Sequence, residues 1–313
     1  MKPHVRFAIL LGTGIAGVTA VLGLFFATNP IGVSRWVASG ALERMELEKM
    51  TVETDRGLQI YYRGGSSPRV LVLLHGLDQR AATWVNATPT LMTRYSLVIL
   101  DLAGHGESAP QRGIFSAEDL MAGVSAVLDA AAPDVPVTLL GHGLGGRMAL
   151  RYALNHPERV EHIVLINGGV DDAPTVDLVP RDRRGTEELF RAISPEGTSL
   201  PAGFVLDDLR QKLEQGAIPR FLDAADTAGP LAHLALDQLT TPVDILWGAD
   251  DGLYPLDTAR RLAAALPRAR LRELHGCGHL PHQQCTGPFL EALFEQLSQE
   301  PPAGVGPIDN AGG

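Results

Sequence analysis

Three sites along this 313-residue chain carry the residue types of acyl transfer by a hydroxyl, except that the hydroxyl itself is missing. Such a reaction needs a nucleophile, a base that takes its proton and an acid that orients the base. Asp251 and His279 are the candidate acid and base. The nucleophile belongs in the segment GHGLG at residues 141–145, a G-x-S-x-G pattern with Gly143 in place of the serine.

The glycine at position 143 suits the local backbone but removes covalent catalysis. In this pattern the serine sits on a strained strand-to-helix turn, and glycine adopts such conformations at low cost. Residues 139–147 contain no Ser, Thr, Cys or Asp that could replace the hydroxyl. Three interpretations follow. The first is an impaired hydrolase that binds an ester or lipid-like ligand but turns it over poorly or not at all, and so serves in binding, regulation or assembly. The others are a His–Asp enzyme acting without a covalent intermediate and an ordinary esterase with one altered residue.

Acyl transfer also needs two backbone N–H groups that hold the negatively charged oxygen of the intermediate. The geometry of the G-x-S-x-G turn predicts Leu77 and Leu144 as these donors. Leu77 follows His75 and Gly76 directly after the apolar run at residues 70–74. We interpret His75, His105 and His142 as residues that hold turns rather than as ligands.

The elements that must position these residues follow a regular alternation. Apolar runs typical of strands covered on both faces lie at residues 70–74, 97–100, 137–140, 163–166 and 243–247. Helical patterns such as 117–131 and 144–155 lie between them. A hairpin is predicted within residues 50–63. The alternation predicts an α/β fold with a mostly parallel central sheet between helices, formed by residues 50–170 and 231–299.

The alternation breaks between residues 171 and 230, a stretch rich in charge, proline and glycine. Short helical patterns at 187–193 and 205–215 and recurring apolar residues favour an ordered segment over a disordered one. We therefore predict a helical lid over the site.

Five motifs in this order resemble those of the α/β-hydrolase family of serine esterases and lipases, across residues 50–299. They are HGL at 75–77, DLAGHGES at 101–108, GHGLG at 141–145, GADDGLYP at 248–255 and GCGHLP at 276–281. The resemblance implies a Ser–His–Asp site with Asp251 and His279 in place, the serine absent at Gly143 and no cofactor. The spacing to Gly248 and Pro255 favours Asp251 over Asp250 as the acid.

The N-terminal residues predict an attachment to the membrane. Residues 7–28 contain no charge and are long enough to span a bilayer, and Lys2 and Arg6 favour a cytoplasmic tail before them. A cleaved signal peptide is the alternative. A helix over residues 29–49, with Pro30 in its first turn, is predicted to lie either at the membrane interface or packed on the domain.

This layout resembles that of membrane-anchored bacterial phospholipases A of the same fold. The resemblance implies ester chemistry on lipids, a homodimer formed through the anchor, and a single-pass inner-membrane protein with its domain on the periplasmic side. The expected partners are the membrane and a small-molecule ester or lipid.

Composition limits the other classes of function. The net charge of −10 and the lack of a basic stretch argue against nucleic-acid binding. No spaced set of ligands predicts a metal site. Cys277 and Cys285 are too few for a disulfide framework, and the sequence leaves open whether they pair or remain buried thiols. Residues 300–313 are predicted to be a disordered tail.

Overall fold

A computed structural model of the chain describes residues 28–133, 135–169, 172–224 and 234–299. The predicted cytoplasmic tail, the apolar run up to residue 27 and the predicted tail at 300–313 lie outside these ranges. Within them, the helices are too short or too polar for any one to cross a bilayer.

One sheet of eight strands forms the centre of the described part. The strands are β1 (Glu48–Thr54), β2 (Gly57–Gly64), β3 (Val70–Leu74), β4 (Ser96–Leu100), β5 (Val137–His142), β6 (Val160–Ile166), β7 (Val243–Gly248) and β8 (Ala269–Leu274). Their order across the sheet is β1-β2-β4-β3-β5-β6-β7-β8. The pairs β1–β2 and β2–β4 are antiparallel. The remaining pairs, from β4–β3 to β7–β8 in this order, are parallel. The predicted mostly parallel sheet is confirmed.

Helices cover both faces of this sheet. They are α1 (Pro30–Glu43), α2 (Thr88–Met92), α3 (Ala117–Ala131), α4 (Leu144–Asn155), α5 (Arg183–Ile193), α6 (Gly203–Gln215), α7 (Ala217–Leu222), α8 (Leu256–Ala265), α9 (Pro281–Gln284) and α10 (Thr286–Ser298). Side chains of α3, α4 and α8 pack into one core, and those of α1, α2 and α10 pack into the other. The central strands are buried on both sides, which explains why most of their residues are apolar.

Helix α3 illustrates how local sequence sets the boundaries of an element. Ser116 caps its first turn: the Ser116 hydroxyl accepts from the Asp119 amide, and the Asp119 carboxylate accepts from the Ser116 amide at 2.9 Å. This capping box satisfies two amides that the helix cannot pair itself. Leu120, Val124 and Leu128 then recur at helical spacing and are all buried. The helix therefore begins at its cap and lies flat against the sheet.

Helix α1 is packed against the domain and is shorter than the predicted segment 29–49, because β1 begins at Glu48. Leu42 is fully buried. Arg35 Nη2 donates to Asp78 Oδ2 at 2.8 Å, and the Ile31 amide donates to Asp208 Oδ2 at 2.8 Å. Trp36, by contrast, is 73% exposed. The helix thus has one face on the domain and a large aromatic side chain on its other face.

Candidate active site

Gly143 forms the turn between a strand and a helix. Strand β5 ends at His142 and helix α4 begins at Leu144, with Gly143 between them at φ 53° and ψ −117°. Residues other than glycine rarely adopt a positive φ. Among the described residues beyond its chain neighbours, the heavy atom nearest to a Cβ at this position is the Cα of Gly76, at 3.7 Å, an ordinary van der Waals distance. The backbone therefore has the shape of a nucleophile turn, and it leaves space for a side chain that glycine does not have.

Gly145 allows the first turn of α4 to approach the sheet closely. A Cβ on Gly145 would clash with the carbonyl oxygens of Leu74 and His75 at the end of β3. Leu144 is the first residue of α4, so its amide belongs to the first turn, where no helix carbonyl is available as a partner. Leu77 and Leu144 both line the same cavity. The two residues predicted to donate to the oxyanion therefore lie at one cavity.

Asp251 and His279 meet at the carboxyl ends of the strands. His279 Nδ1 lies 2.9 Å from Asp251 Oδ2, and both residues are at least nine-tenths buried. The other carboxylate oxygen, Oδ1, accepts from the amides of Leu253 and Tyr254 at 2.9 and 3.0 Å. Because Nδ1 faces Asp251, Nε2 is the imidazole nitrogen left for a ligand in the cavity. Asp250, the competing acid, instead accepts from the Glu196 amide at 3.1 Å.

Asn167 is a site residue that sequence reasoning missed. Its Nδ2 donates to Asp251 Oδ2 at 2.7 Å, and its Oδ1 accepts from the Gly248 amide at 3.0 Å. Asn167 follows β6 directly, is fully buried and has a φ of 40°. Asparagine is among the few residues that tolerate this left-handed region. Its only sequence signal is a polar residue at the carboxyl end of an apolar run.

His142, at the end of β5, connects the loop after β3 with the loop that carries His279. This extends its predicted role in holding a turn. Its Nε2 lies 3.0 Å from the carbonyl oxygen of His279, and its Nδ1 lies 3.1 Å from Gln79 Oε1. The same Gln79 oxygen accepts from the Gly76 amide at 3.0 Å. Burial, followed by the neighbouring charges of His279 and His282, lowers the pKa of His142 well below its ordinary value. The neutral ring therefore donates to only one of the two oxygens it contacts.

Two of the remaining histidines are placed in the scaffold. His75 is fully buried; its Nε2 accepts from the Leu102 amide at 3.0 Å, and its Nδ1 lies 2.8 Å from the Gly76 carbonyl oxygen. His75 thus joins the loops that follow β3 and β4. His282, which the sequence did not place, lies against Trp84 and 3.1 Å from the hydroxyl of Thr83. Burial, then the charge of His279, lowers the pKa of His282 to about 3.

A cavity of about 420 Å³ opens in front of Gly143 and His279. This volume lies in the range of small-molecule sites. Its apolar walls come largely from helices α5 to α7 and from the loop after Asp251: Leu189, Ile193, Leu209, Leu213, Ile218, Phe221 and Leu253. The acids Asp78 and Asp172 also line it, and they are engaged by Arg35 and Arg261 respectively. The arrangement suits a largely apolar ligand with one polar group at Gly143.

The two cysteines lie on either side of His279 in the sequence and are joined by a disulfide. Cys277 and Cys285 are bonded across a separation of eight residues, with their Cα atoms 5.9 Å apart. The segment between them contains His279 and the short helix α9. This finding answers the question that the sequence left open. Within the described ranges, no three His, Cys, Asp or Glu side chains are grouped as a metal site would require.

The chain is similar in sequence to known proteins of this architecture. The sequence model of the "Alpha/beta hydrolase family" matches residues 71–292. A 2-hydroxy-6-oxononadienedioate/2-hydroxy-6-oxononatrienedioate hydrolase of Paraburkholderia phymatum is 30% identical over 268 residues, covering 77% of this chain and 92% of that protein. Hydrolase 1 of the same description from Dechloromonas aromatica is 29% identical over 272 residues, covering 79% of this chain and 93% of that protein.

Solved structures share the fold at lower identity. A bacterial membrane phospholipase A, described as a virulence factor, superposes with a TM-score of 0.66 at 24% identity, covering 94% of this chain and 99% of that chain. A carboxylesterase of Bacillus subtilis gives a TM-score of 0.69 at 21% identity, covering 85% of this chain and 98% of that chain. From the family match and the identity to relatives, the chain belongs to the alpha/beta hydrolase family.

Proposed function

We propose that this member of the alpha/beta hydrolase family is a membrane-anchored domain of the carboxylester or lipid hydrolase type, impaired in hydrolysis at Gly143. The observation that carries the proposal is the turn at Gly143, which has φ 53° and space for a side chain but no hydroxyl. It faces an acid–base pair, Asp251 and His279, joined at 2.9 Å.

The proposed roles follow the chemistry of acyl transfer. His279 is the base and Asp251 orients it, while the amides of Leu77 and Leu144 hold the oxyanion. Loss of the nucleophile from such a site costs about a million-fold in rate, and the remaining rate comes from the oxyanion hole and binding. Cleavage of a bound ester is therefore slow.

The proposed ligand is a small-molecule ester or a lipid. The apolar walls of the cavity, formed by residues such as Leu189, Leu213 and Ile218, favour an acyl chain. The names of relatives and fold neighbours, which include hydrolases, a carboxylesterase and a phospholipase A, support hydrolysable substrates of this kind. We propose that helices α5 to α7 act as the lid, since they supply most of the apolar wall.

We propose that residues 7–28 anchor the domain in the bacterial inner membrane, with the domain on the periplasmic side and a homodimer formed through the anchor. The uncharged run and the preceding Lys2 and Arg6 support this orientation. The disulfide between Cys277 and Cys285 supports it independently, because disulfides persist in oxidising compartments such as the periplasm.

Two alternatives share the same site. The intact Asp251–His279 pair favours an enzyme in which His279 activates a water or substrate proton directly, without a covalent intermediate. The loss of the hydroxyl favours a non-catalytic protein that binds its ligand for regulation or assembly.

Ester hydrolysis by the full chain, purified in detergent, tests the proposal. Wild type, Gly143→Ser and Gly143→Ser/His279→Ala are compared on p-nitrophenyl esters of increasing acyl length. We expect little hydrolysis by wild type, and activity in Gly143→Ser that requires His279. A wild type that hydrolyses esters rapidly contradicts the impairment. A Gly143→Ser variant that folds but remains silent contradicts the hydrolase-type site.

A further inference from the structure

We infer that the site admits an external primary alcohol at Gly143 and transfers an acyl group to it directly from a bound ester. The inference rests on the proposed function of the cavity as an ester site. It adds an activity, acyl transfer through a ternary complex, that needs no covalent acyl-enzyme.

The first argument is steric. Serine differs from glycine by a CH₂OH group, the same atoms as the reactive end of a primary alcohol. Among the described residues other than Gly143 and its two chain neighbours, a carbon at the Cβ position of residue 143 meets nothing nearer than the Gly76 Cα at 3.7 Å. An unbonded carbon stands about 3.5–4.0 Å from the Gly143 Cα rather than at bonding distance. That additional room exists because Gly143 lines the cavity of about 420 Å³.

The second argument is the position of the base. His279 Nδ1 is directed at Asp251, which leaves Nε2 for the cavity that His279 and Gly143 both line. Asp251 is itself fixed by Asn167 and by two amides, so the orientation of the imidazole does not depend on a serine. A hydroxyl placed beside Gly143 therefore finds a positioned proton acceptor.

The reaction balances without any further reagent. The alcohol oxygen bonds to the ester carbonyl carbon while its proton passes to His279 Nε2. The carbonyl oxygen, now negative, is held by the amides of Leu77 and Leu144. The intermediate then expels the original alkoxide, which takes the proton back from Nε2. The net change converts RCO–OR′ and R″OH into RCO–OR″ and R′OH, and His279 is returned unchanged.

The space beside Gly143 discriminates among acceptors. Water supplies a hydroxyl alone, whereas an alcohol also buries its carbon in the apolar cavity, and one buried methylene is worth about a fourfold preference. A tertiary alcohol carries two additional methyl groups on the reacting carbon, and these hinder the approach of its oxygen to the ester carbonyl carbon. Because an external hydroxyl lacks an effective molarity of about 10⁵ M or more, the reaction is slow and depends on alcohol concentration.

The test incubates the full chain in detergent with p-nitrophenyl octanoate and methanol, glycerol or tert-butanol, and separates alkyl octanoate from octanoate by chromatography. Reactions without protein are subtracted. We expect methyl and glyceryl esters from wild type, about fourfold in excess of their molar share relative to water. We expect no tert-butyl ester, and intersecting double-reciprocal rate plots as a ternary complex requires.

Three variants separate this activity from the proposed function. Gly143→Ala places a methyl group in the space between the Gly143 Cα and the alcohol and should abolish transfer to alcohols. His279→Ala should abolish it through loss of the base. Gly143→Ser should restore hydrolysis. Its transfer to alcohols should give parallel double-reciprocal plots, because it passes through an acyl-enzyme. Hydrolysis by Gly143→Ser with no alkyl ester from wild type overturns the inference and leaves the proposed function standing. Alkyl ester formation that survives His279→Ala, or silence of both proteins, also overturns it.

Discussion

Asn167 Nδ2 donates a 2.7 Å hydrogen bond to Asp251 Oδ2, the same oxygen that receives His279 Nδ1. Asn167 stands at the end of β6, and its Oδ1 binds the Gly248 amide at the end of the neighbouring strand β7. The asparagine thus fixes the acid loop to the sheet and leaves Asp251 an acceptor oriented toward His279. The position of the base is therefore set from within the sheet and not by residue 143.

Replacement of Asn167 should lower both stability and the order of the site. Asn167→Ala leaves the buried Gly248 amide without its acceptor, which costs about 1–3 kcal/mol. The measurement is the free energy of unfolding in urea, with the exposed Asn86→Ala as the matched control. In the Gly143→Ser background, Asn167→Ala should also reduce hydrolysis. Equal stability of the Asn167→Ala and Asn86→Ala variants would argue against this role.

The disulfide should stabilise the segment that carries His279. Bonding Cys277 to Cys285 across eight residues lowers the conformational entropy of the unfolded chain. On the chain-entropy account this raises the free energy of unfolding by about 2.5 kcal/mol. We expect a reductant to lower the free energy of unfolding of wild type by an amount of this order. The Cys277→Ala/Cys285→Ala variant should already be less stable and should not respond to the reductant. A wild type that responds no more than this variant would contradict the prediction.

Acid should destabilise the fold through its buried histidines. Burial lowers the pKa of His282 to about 3 and that of His105 to about 4, against about 6.5 for an unfolded histidine. Below pH 6.5 the unfolded chain therefore binds more protons than the folded one. The stability is fully present above about pH 6.5 and is lost progressively toward the folded values, at about 1.4 kcal/mol per pH unit for each such group.

Urea unfolding between pH 7.5 and pH 5 measures this slope, above the range where most carboxylates titrate. The His282→Gln variant cannot take up a proton at this position. The slope of its free energy of unfolding against pH should therefore correspond to about one proton fewer than that of wild type. The exposed His275→Gln serves as the matched control. A His282→Gln slope equal to that of wild type would show that His282 does not supply the dependence.

Those parts of the fold whose residues are buried on both sides could be predicted from the sequence. β5 and β7 are mostly apolar and buried along their whole length, and α3 has both a cap and a periodic face, so their patterns leave little choice. β8 was missed because it lies at the edge of the sheet, where its polar residues Arg270, Arg272 and Glu273 interrupt the pattern. Charged side chains are common on edge strands, where they discourage pairing with another chain.

The site divides in a similar way. Gly143, Asp251 and His279 stand in loops with recognisable spacing, whereas Asn167 belongs to no motif and reaches Asp251 only because β6 and β7 are neighbours. The link from His142 to Gln79 and to the His279 carbonyl likewise depends on three segments far apart in sequence. Contacts of this kind arise from sheet order, which local patterns do not encode.

Covalent labelling by a fluorophosphonate tests most directly whether the site is a hydrolase site that lacks only its nucleophile. The reagent is applied to wild type, Gly143→Ser and Gly143→Ser/His279→Ala, and adducts are located by mass spectrometry. We predict no adduct on wild type, a single adduct at position 143 of Gly143→Ser, and labelling about 10²–10⁴-fold slower without His279. A folded Gly143→Ser variant that remains unlabelled, or a His279-dependent adduct on wild type at another residue, would contradict the account.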